Sequence, residues 1–548
     1  MISSFVFGMW VIYIFAAITA FAGTFLAAPI SKNFLLDKKI ELLLGYFFGL
    51  AFFVALWRVG DFVFQSSKIG LIFAIIPVIG LAIKQFIYYS KLLNSQRFWI
   101  LLLIFLAIAI QILCTTFWAR EVFSDVYSTL GSGHSPRYGN ISIHGIEIDR
   151  VPVYGINYLQ SLLSMLPMSI GGNSPLVYLS VWLGFSLFVL SLLSFFILRT
   201  VGLPFFYAAA GVILVNFGNT ALSINQYLVM DTGSPFFLAG YSDTIHSIGV
   251  LFSIIAVLLK TTFHDKSIYS RIDKVKLTFG LGFLFYLNTI LAPQNIIVTS
   301  ALFGILFLRI FIAKVSNKRG TFFLQLGVFS LSLLIGTFSG GFLTPIKNQD
   351  PTDLPSINRL QISAFTPTFS PSMPYHLGSY HNWQMPKSDD VFVKATGSSL
   401  DKVLLFSSLL FESAYVLFFP ILGIVLAFFF KKRSLEVRLL FLMALLTLLV
   451  GFVLVWPIQI YGSKWAQTRF FIPGIYFSQL CLCAGLYFSI QKLKPLLSKF
   501  VFVFAIVFIC YGPTKNFLAI VTENFNSSFE FQRRLESLVN YSKIQKPN

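Results

Sequence analysis

Two carboxylates stand four residues apart just beyond a long apolar run, in the stretch Trp118-Ala-Arg-Glu121-Val-Phe-Ser-Asp125-Val-Tyr127. If the helix carrying the run continues for one more turn, Glu121 and Asp125 share one face above the membrane. Paired carboxylates there suit two chemistries. One acid can serve as general base for an incoming hydroxyl. Alternatively, both can hold a divalent cation (Mg or Mn) that neutralises a phosphate leaving group. The spacing does not choose between these, and a helix end running into a solvated loop is the plain alternative. Acids at a helix C-terminus oppose the macrodipole, however, so the pair needs some other reason to be there. His134, Arg137, His144, Glu147, Asp149 and Arg150 follow, in a chain with 11% charged and 56% hydrophobic residues. Ionisable groups crowded beside a bilayer are candidates for function.

Other polar stretches offer further chemistry. Asp243 and His246, three apart, face one side of a helix, either as a metal-binding or acid–base pair or as an N-cap with an interfacial histidine. Segment 341–402 carries Arg359, Tyr375, His376, Tyr380, His381, Asn382 and Trp383. This mixture suits a sugar-stacking or phosphate-binding surface, or else a folded lid. Segment 458–469 contributes Lys464 and Arg469, placed to grip a lipid-linked phosphate or to snorkel beside Trp465.

These residues must be positioned by membrane helices. Mean hydropathy is +0.80 over 548 residues. Apolar stretches of roughly 20 residues are long enough to cross about 30 Å of hydrocarbon. They lack the alternation of barrel strands, so the expected fold is an all-α polytopic membrane protein. About fourteen spans are predicted, at 5–28, 41–57, 69–83, 98–118, 175–198, 202–218, 244–260, 277–291, 294–314, 321–340, 403–430, 437–457, 470–490 and 500–514. The net charge of +19 sits in short connections such as Lys38/Lys39, Lys84 to Arg97, Lys260 to Lys276, Lys431 to Arg433 and Lys492 to Lys499, a pattern of cytoplasmic turns and not of nucleic-acid binding. On this path both termini and every long polar segment (119–174, 219–243, 341–402, 458–469 and the tail 515–548) face the opposite, outer side. Val151 to Met168 then reads as an interface helix or re-entrant turn. The first apolar segment reads as a retained helix. Cys114, Cys481, Cys483 and Cys510 all fall in or beside spans, away from the outer loops, as apolar filler. The chain divides into N-terminal helices 1–97, a core 98–340 with its outer loop, a large loop 341–402, C-terminal helices 403–514 and a tail 515–548.

An acidic motif in an outer loop just past a transmembrane helix, followed by an apolar interface segment and further outer loops, resembles the C-type (GT-C) glycosyltransferase superfamily. The resemblance is architectural and covers residues 98–470. It implies transfer of a sugar from a polyprenyl-phosphate donor to a glycan, lipid or protein acceptor. Asp125 would be the catalytic carboxylate, Glu121 its neighbour or a metal contact, and Lys464 and Arg469 contacts to the donor phosphate. Tyr127, His134, Arg137, Asp243, His246, Arg359, His376 and His381 complete the candidate substrate-binding set. Two alternatives stand beside it: an O-antigen polymerase or ligase centred on Arg359, His376 and His381, and a lipid or polysaccharide transporter. The predicted spans are almost free of ionisable residues, which favours surface chemistry over transport. Composition points to a bacterial inner membrane with the active face periplasmic, the endoplasmic reticulum being the other option.

Overall fold

The computed structural model describes residues 2–31, 38–64, 67–94, 97–118, 141–143, 146–148, 166–167, 170–171, 175–220, 242–263, 271–291, 293–312, 316–338, 360–362, 417–455, 458–460, 471–512 and 514. Fourteen helices lie among them, each overlapping one of the predicted segments; of the predicted 403–430 only the part from 417 onward is described. They are α1 (Ile2–Ser31), α2 (Lys38–Phe64), α3 (Ser67–Asn94), α4 (Arg97–Trp118), α5 (Pro175–Thr200), α6 (Phe205–Phe217), α7 (Ser242–Phe263), α8 (Arg271–Leu291), α9 (Pro293–Ile312), α10 (Ser316–Phe338), α11 (Phe418–Phe430), α12 (Leu435–Val455), α13 (Ile472–Ile490) and α14 (Pro495–Gly512). Seven of them (α1, α2, α3, α5, α10, α13 and α14) contain a segment long and apolar enough to cross a membrane. The protein is a helical membrane protein.

Two short strand pairs add to the helices. β1 (Ile141–Ile143) and β2 (Ile146–Ile148) form an antiparallel hairpin. Its cause is legible: Ile-Ser-Ile and Ile-Glu-Ile alternate with a period of two around His144-Gly145. β3 (Leu360–Ile362) pairs with β4 (Ile458–Ile460), in the register Leu360↔Ile460, Gln361↔Gln459 and Ile362↔Ile458. Segments 341–402 and 458–469, both predicted to face outward, are therefore hydrogen-bonded to each other.

The chain forms two compact units: residues 1–193, 239–346 and 520–548 in the first, 194–238 and 347–519 in the second. In the first unit, α1 and α2 cross with almost no separation. A Cβ on Gly23 would run into the Gly45 carbonyl oxygen, and one on Gly49 into that of Thr19. Small residues let helix backbones approach where hydrocarbon on all sides removes the hydrophobic drive to associate.

Side-chain contacts set the helix directions in this unit. Phe15 meets Phe53 while Gly23 meets Gly45, so α1 and α2 are antiparallel. Phe64 meets Phe73 and Tyr89 bonds Glu41, so α2 and α3 are also antiparallel. α5 runs with α1 (Phe7 on Tyr178, Tyr13 on Phe185), and α8 runs with α2 (Phe48 at Gly280, Phe52 on Phe283). α10 runs with α8, since Val328 lies at Gly282 and Thr289 at Gly336. The starts of α2, α4, α8 and α10, beside Lys38, Arg97, Arg271 and Lys318, consequently share one end. Trp118, Pro175, Ser242, Leu291 and Phe338 belong to the other.

The second unit repeats the arrangement. α11 runs with α13 (Leu426 at Gly485, Phe430 on Phe488), while α6 opposes α13 (Tyr207 on Tyr487, Cys483 at Gly211). Its tight turns lie at one end. Arg199–Leu203 is closed by Gly202 at φ 104° and by an Arg199 hydrogen bond of 2.8 Å to the Leu203 carbonyl. At Lys431–Ser434, the Ser434 hydroxyl caps α12 by accepting the Val437 N–H at 3.2 Å. Arg433 donates to Gln491 at 2.8 Å, joining this basic turn to the one leading into α14.

Candidate functional site

The described part of the site begins on the first turns of α7. The apolar residues Ile245, Ile248, Val250 and Leu251 turn that helix into the bundle, and His246 goes with them, 1% exposed. Its imidazole stacks on Trp182 of α5, with ring centroids 4.6 Å apart and planes 15° from parallel. Its Nε2 is 2.9 Å from the hydroxyl of Tyr46 on α2. Phe185 closes a third side, 5.6 Å from the Tyr46 ring. Whether it sits at a membrane interface or serves an acid–base pair, the imidazole is enclosed by Trp182, Tyr46 and Phe185. The turn is amphipathic towards the core, and stacking under Trp182 removes the ring from water. In this position His246 can exchange a proton with Tyr46 and hold α2, α5 and α7 together. It cannot meet a substrate without a rearrangement.

Below it, Asn295 on α9 donates to the Ser247 carbonyl at 3.0 Å, and Asn288 on α8 donates to the Thr299 hydroxyl at 3.4 Å. The Asn288 and Asn295 side-chain oxygens and the Trp182 indole N–H are buried without a hydrogen-bond partner. Unsatisfied buried amides cost free energy and call for an explanation. This end of the first unit therefore concentrates polar groups around Pro293, the break between α8 and α9.

Asp243 lies on the first turn of α7, and its side chain is outside the described residues. Glu121, Asp125, Tyr127, His134, Arg137, Arg359, His376, His381, Lys464 and Arg469 also lie outside them, as does most of the interface segment Val151 to Met168. Among the described residues, no group of three or more His, Cys, Asp or Glu residues is placed to hold a metal ion. The β3–β4 pairing bears on two of the candidates through the chain itself: Arg359 immediately precedes β3, and Lys464 follows β4 by four residues.

Two ionisable residues were passed over in the sequence because they mark the ends of an apolar span. Glu41 and Arg58 of α2 are each 7% exposed. Glu41 accepts a short hydrogen bond from the buried Tyr89 hydroxyl. The available signal was simple: a charged residue at each end of a helix that is otherwise buried must be partnered from a neighbouring helix. Cys481, Cys483 and Cys510 are buried free thiols, as expected of filler.

No protein-family model, curated protein or solved structure matches this chain.

Proposed function

We propose that the protein is a membrane glycosyltransferase of the C-type kind, with fourteen spans and both termini outside, moving a sugar from a polyprenyl-phosphate donor to an acceptor at the periplasmic face of a bacterial inner membrane. One observation carries the reading: in the first unit the helix ends at Trp118, Pro175, Ser242 and Phe338 gather opposite the lysine- and arginine-bearing ends. By the positive-inside tendency, the acidic stretch that follows Trp118 then belongs to the outer compartment. The segment beginning after Phe338 belongs there too, and the β3–β4 pairing ties it to the stretch carrying Lys464 and Arg469.

In this reading Asp125 accepts the acceptor hydroxyl proton as that oxygen attacks the anomeric carbon. The bond from sugar to phosphate breaks, and polyprenyl phosphate leaves with the electron pair. Lys464 and Arg469 hold the departing phosphate, and Glu121 orients Asp125. A general base contributes about 10²–10⁴-fold, so Asp125→Ala should lower sugar transfer on membranes by about that factor, with Glu121→Ala milder. Loss confined to His376→Ala and His381→Ala would replace this reading with a polymerase or ligase. A parent protein that transfers no sugar would overturn both. The buried Glu41 and Arg58, with the asparagines around Pro293, favour transport as the second reading, since transporters keep ionisable groups at broken helices. Substrate uptake by vesicles that survives Asp125→Ala would select it.

A further inference from the structure

A cleft of about 710 Å³ opens between α2, α8 and α10 of the first unit, lined by Arg58, Phe279, Gly282, Tyr286, Leu331 and Ser332 among others. Its volume is typical of small-molecule pockets, which run roughly 300–1,000 Å³. Three features of this cleft point the same way. Phe279 and Leu331 are 62% and 56% exposed, and α10 is long and apolar enough to cross a membrane, so in a bilayer the mouth would face hydrocarbon and admit something dissolved there. Ser332 spends its hydroxyl on the Gly282 carbonyl at 3.0 Å, which leaves that wall effectively apolar. Among the described lining residues Arg58 alone is charged, six positions before the end of α2 and therefore about 9 Å along the helix from it. That is the end assigned to the outer face. Arg58 has interactions within the bundle, but its five N–H donors allow it to serve a further anion.

We infer that this cleft binds a lipid phosphate, with the hydrocarbon tail along Phe279, Gly282 and Leu331 and the phosphate on Arg58. The site does not depend on sugar transfer. The positive charge at one end of an otherwise apolar cleft selects the anion, and the opening towards the bilayer selects a lipid over a free ion. Neither a peptide nor a soluble nucleotide would enter from that side.

The test uses the full chain in detergent, with farnesyl phosphate as probe and farnesol and inorganic phosphate as controls. Farnesyl phosphate should bind saturably, while farnesol binds at least tenfold more weakly and inorganic phosphate does not compete. Arg58→Gln and the cleft-filling Leu331→Trp should each weaken binding at least tenfold, and Arg58→Lys should retain part of it. A photoreactive farnesyl phosphate on the unaltered protein covers the case in which a variant fails to fold, and should label α2, α8 and α10. Labelling elsewhere, equal binding of farnesol, or full binding by both Arg58→Gln and Leu331→Trp overturns the inference. Binding that depends on Arg58 in a protein that transfers no sugar leaves this site standing and removes the transferase.

Discussion

The two units use buried polarity differently. In the first, α2 alone buries a carboxylate and a guanidinium, and α7 buries an imidazole under an indole. In the second, the buried polar groups among the described residues are neutral. The Ser194 and Tyr476 hydroxyls pair at 3.0 Å, those of Tyr207 and Ser498 pair at 2.8 Å, and Gln479 donates to the Gly218 carbonyl at 3.1 Å. Neutral hydroxyl and amide pairs join helices at modest cost in a low-dielectric setting, whereas ionisable groups are expensive there and are kept where they serve a purpose. Among the described residues, the buried Glu, Arg and His side chains therefore belong to the first unit, while the buried polar side chains of the second are neutral.

The largest expected effect tests what the units share. Both depend on glycine seams: Gly49 lies against the Thr19 carbonyl oxygen in one, and Gly423 against that of Ser478 in the other. Leucine at either position must push two helix backbones apart. Overpacking a close-packed interior costs about 1–3 kcal/mol and occasionally more. With a backbone carbonyl as the obstacle, Gly49→Leu and Gly423→Leu should lie at or above the top of that range. Detergent-solubilised protein should elute as aggregate, or melt well below the parent. If one variant is tolerated, its seam is not a fixed contact and the shared architecture fails.

Next in size is the histidine. His246→Ala removes the face that Trp182 stacks on and the partner of the Tyr46 hydroxyl, leaving a cavity next to a buried polar atom. Together these should cost about 2–4 kcal/mol, read as a lowered Tm in detergent. Tyr46→Phe, which gives up the hydrogen bond but keeps the ring, should cost about 1 kcal/mol. A His246→Ala protein no less stable than Tyr46→Phe would show that the imidazole packs loosely, and the contrast between the units would lose its main example.

The helices were legible because apolar segments announce themselves one at a time: a helix overlaps each predicted segment, and seven of those described are long and apolar enough to cross a membrane. The basic turns were legible too, and in the first unit the helix starts beside them share one end. Partnership was not. His246 finds Tyr46 two hundred positions away in the chain, and Glu41 finds Tyr89 forty-eight away. No local periodicity encodes such pairs. The same limit explains why α2 reads as plain hydrophobic filler although it supplies Glu41, Tyr46 and Arg58. The hairpin at Ile141–Ile148 was hidden differently: its alternation was printed in the sequence but overshadowed by the ionisable residues around it. The candidate residues from Glu121 to Arg137 and from His376 to His381 rest on sequence position, and the Asp125 experiment bears on them directly.

The smallest effect is the sharpest check on the second unit. Tyr476→Phe removes one neutral hydroxyl from a buried pair, and a typical intramolecular hydrogen bond contributes about 0.5–1.5 kcal/mol. The lower half of that range applies here because Ser194 has an alternative. Serines in helices bond back to the carbonyl four residues earlier, and on the same helix Ser186 does so at 2.8 Å and Ser191 at 2.7 Å. Left alone, the Ser194 hydroxyl can be served in the same way, so no orphaned donor remains. His246→Ala, by contrast, also removes the ring that stacks on Trp182. The Tm shift for Tyr476→Phe should therefore be a small fraction of that for His246→Ala. A shift equivalent to about 2 kcal/mol or more would mean that the Ser194–Tyr476 pair belongs to a larger cooperative network. The second unit would then carry a polar core as consequential as the first.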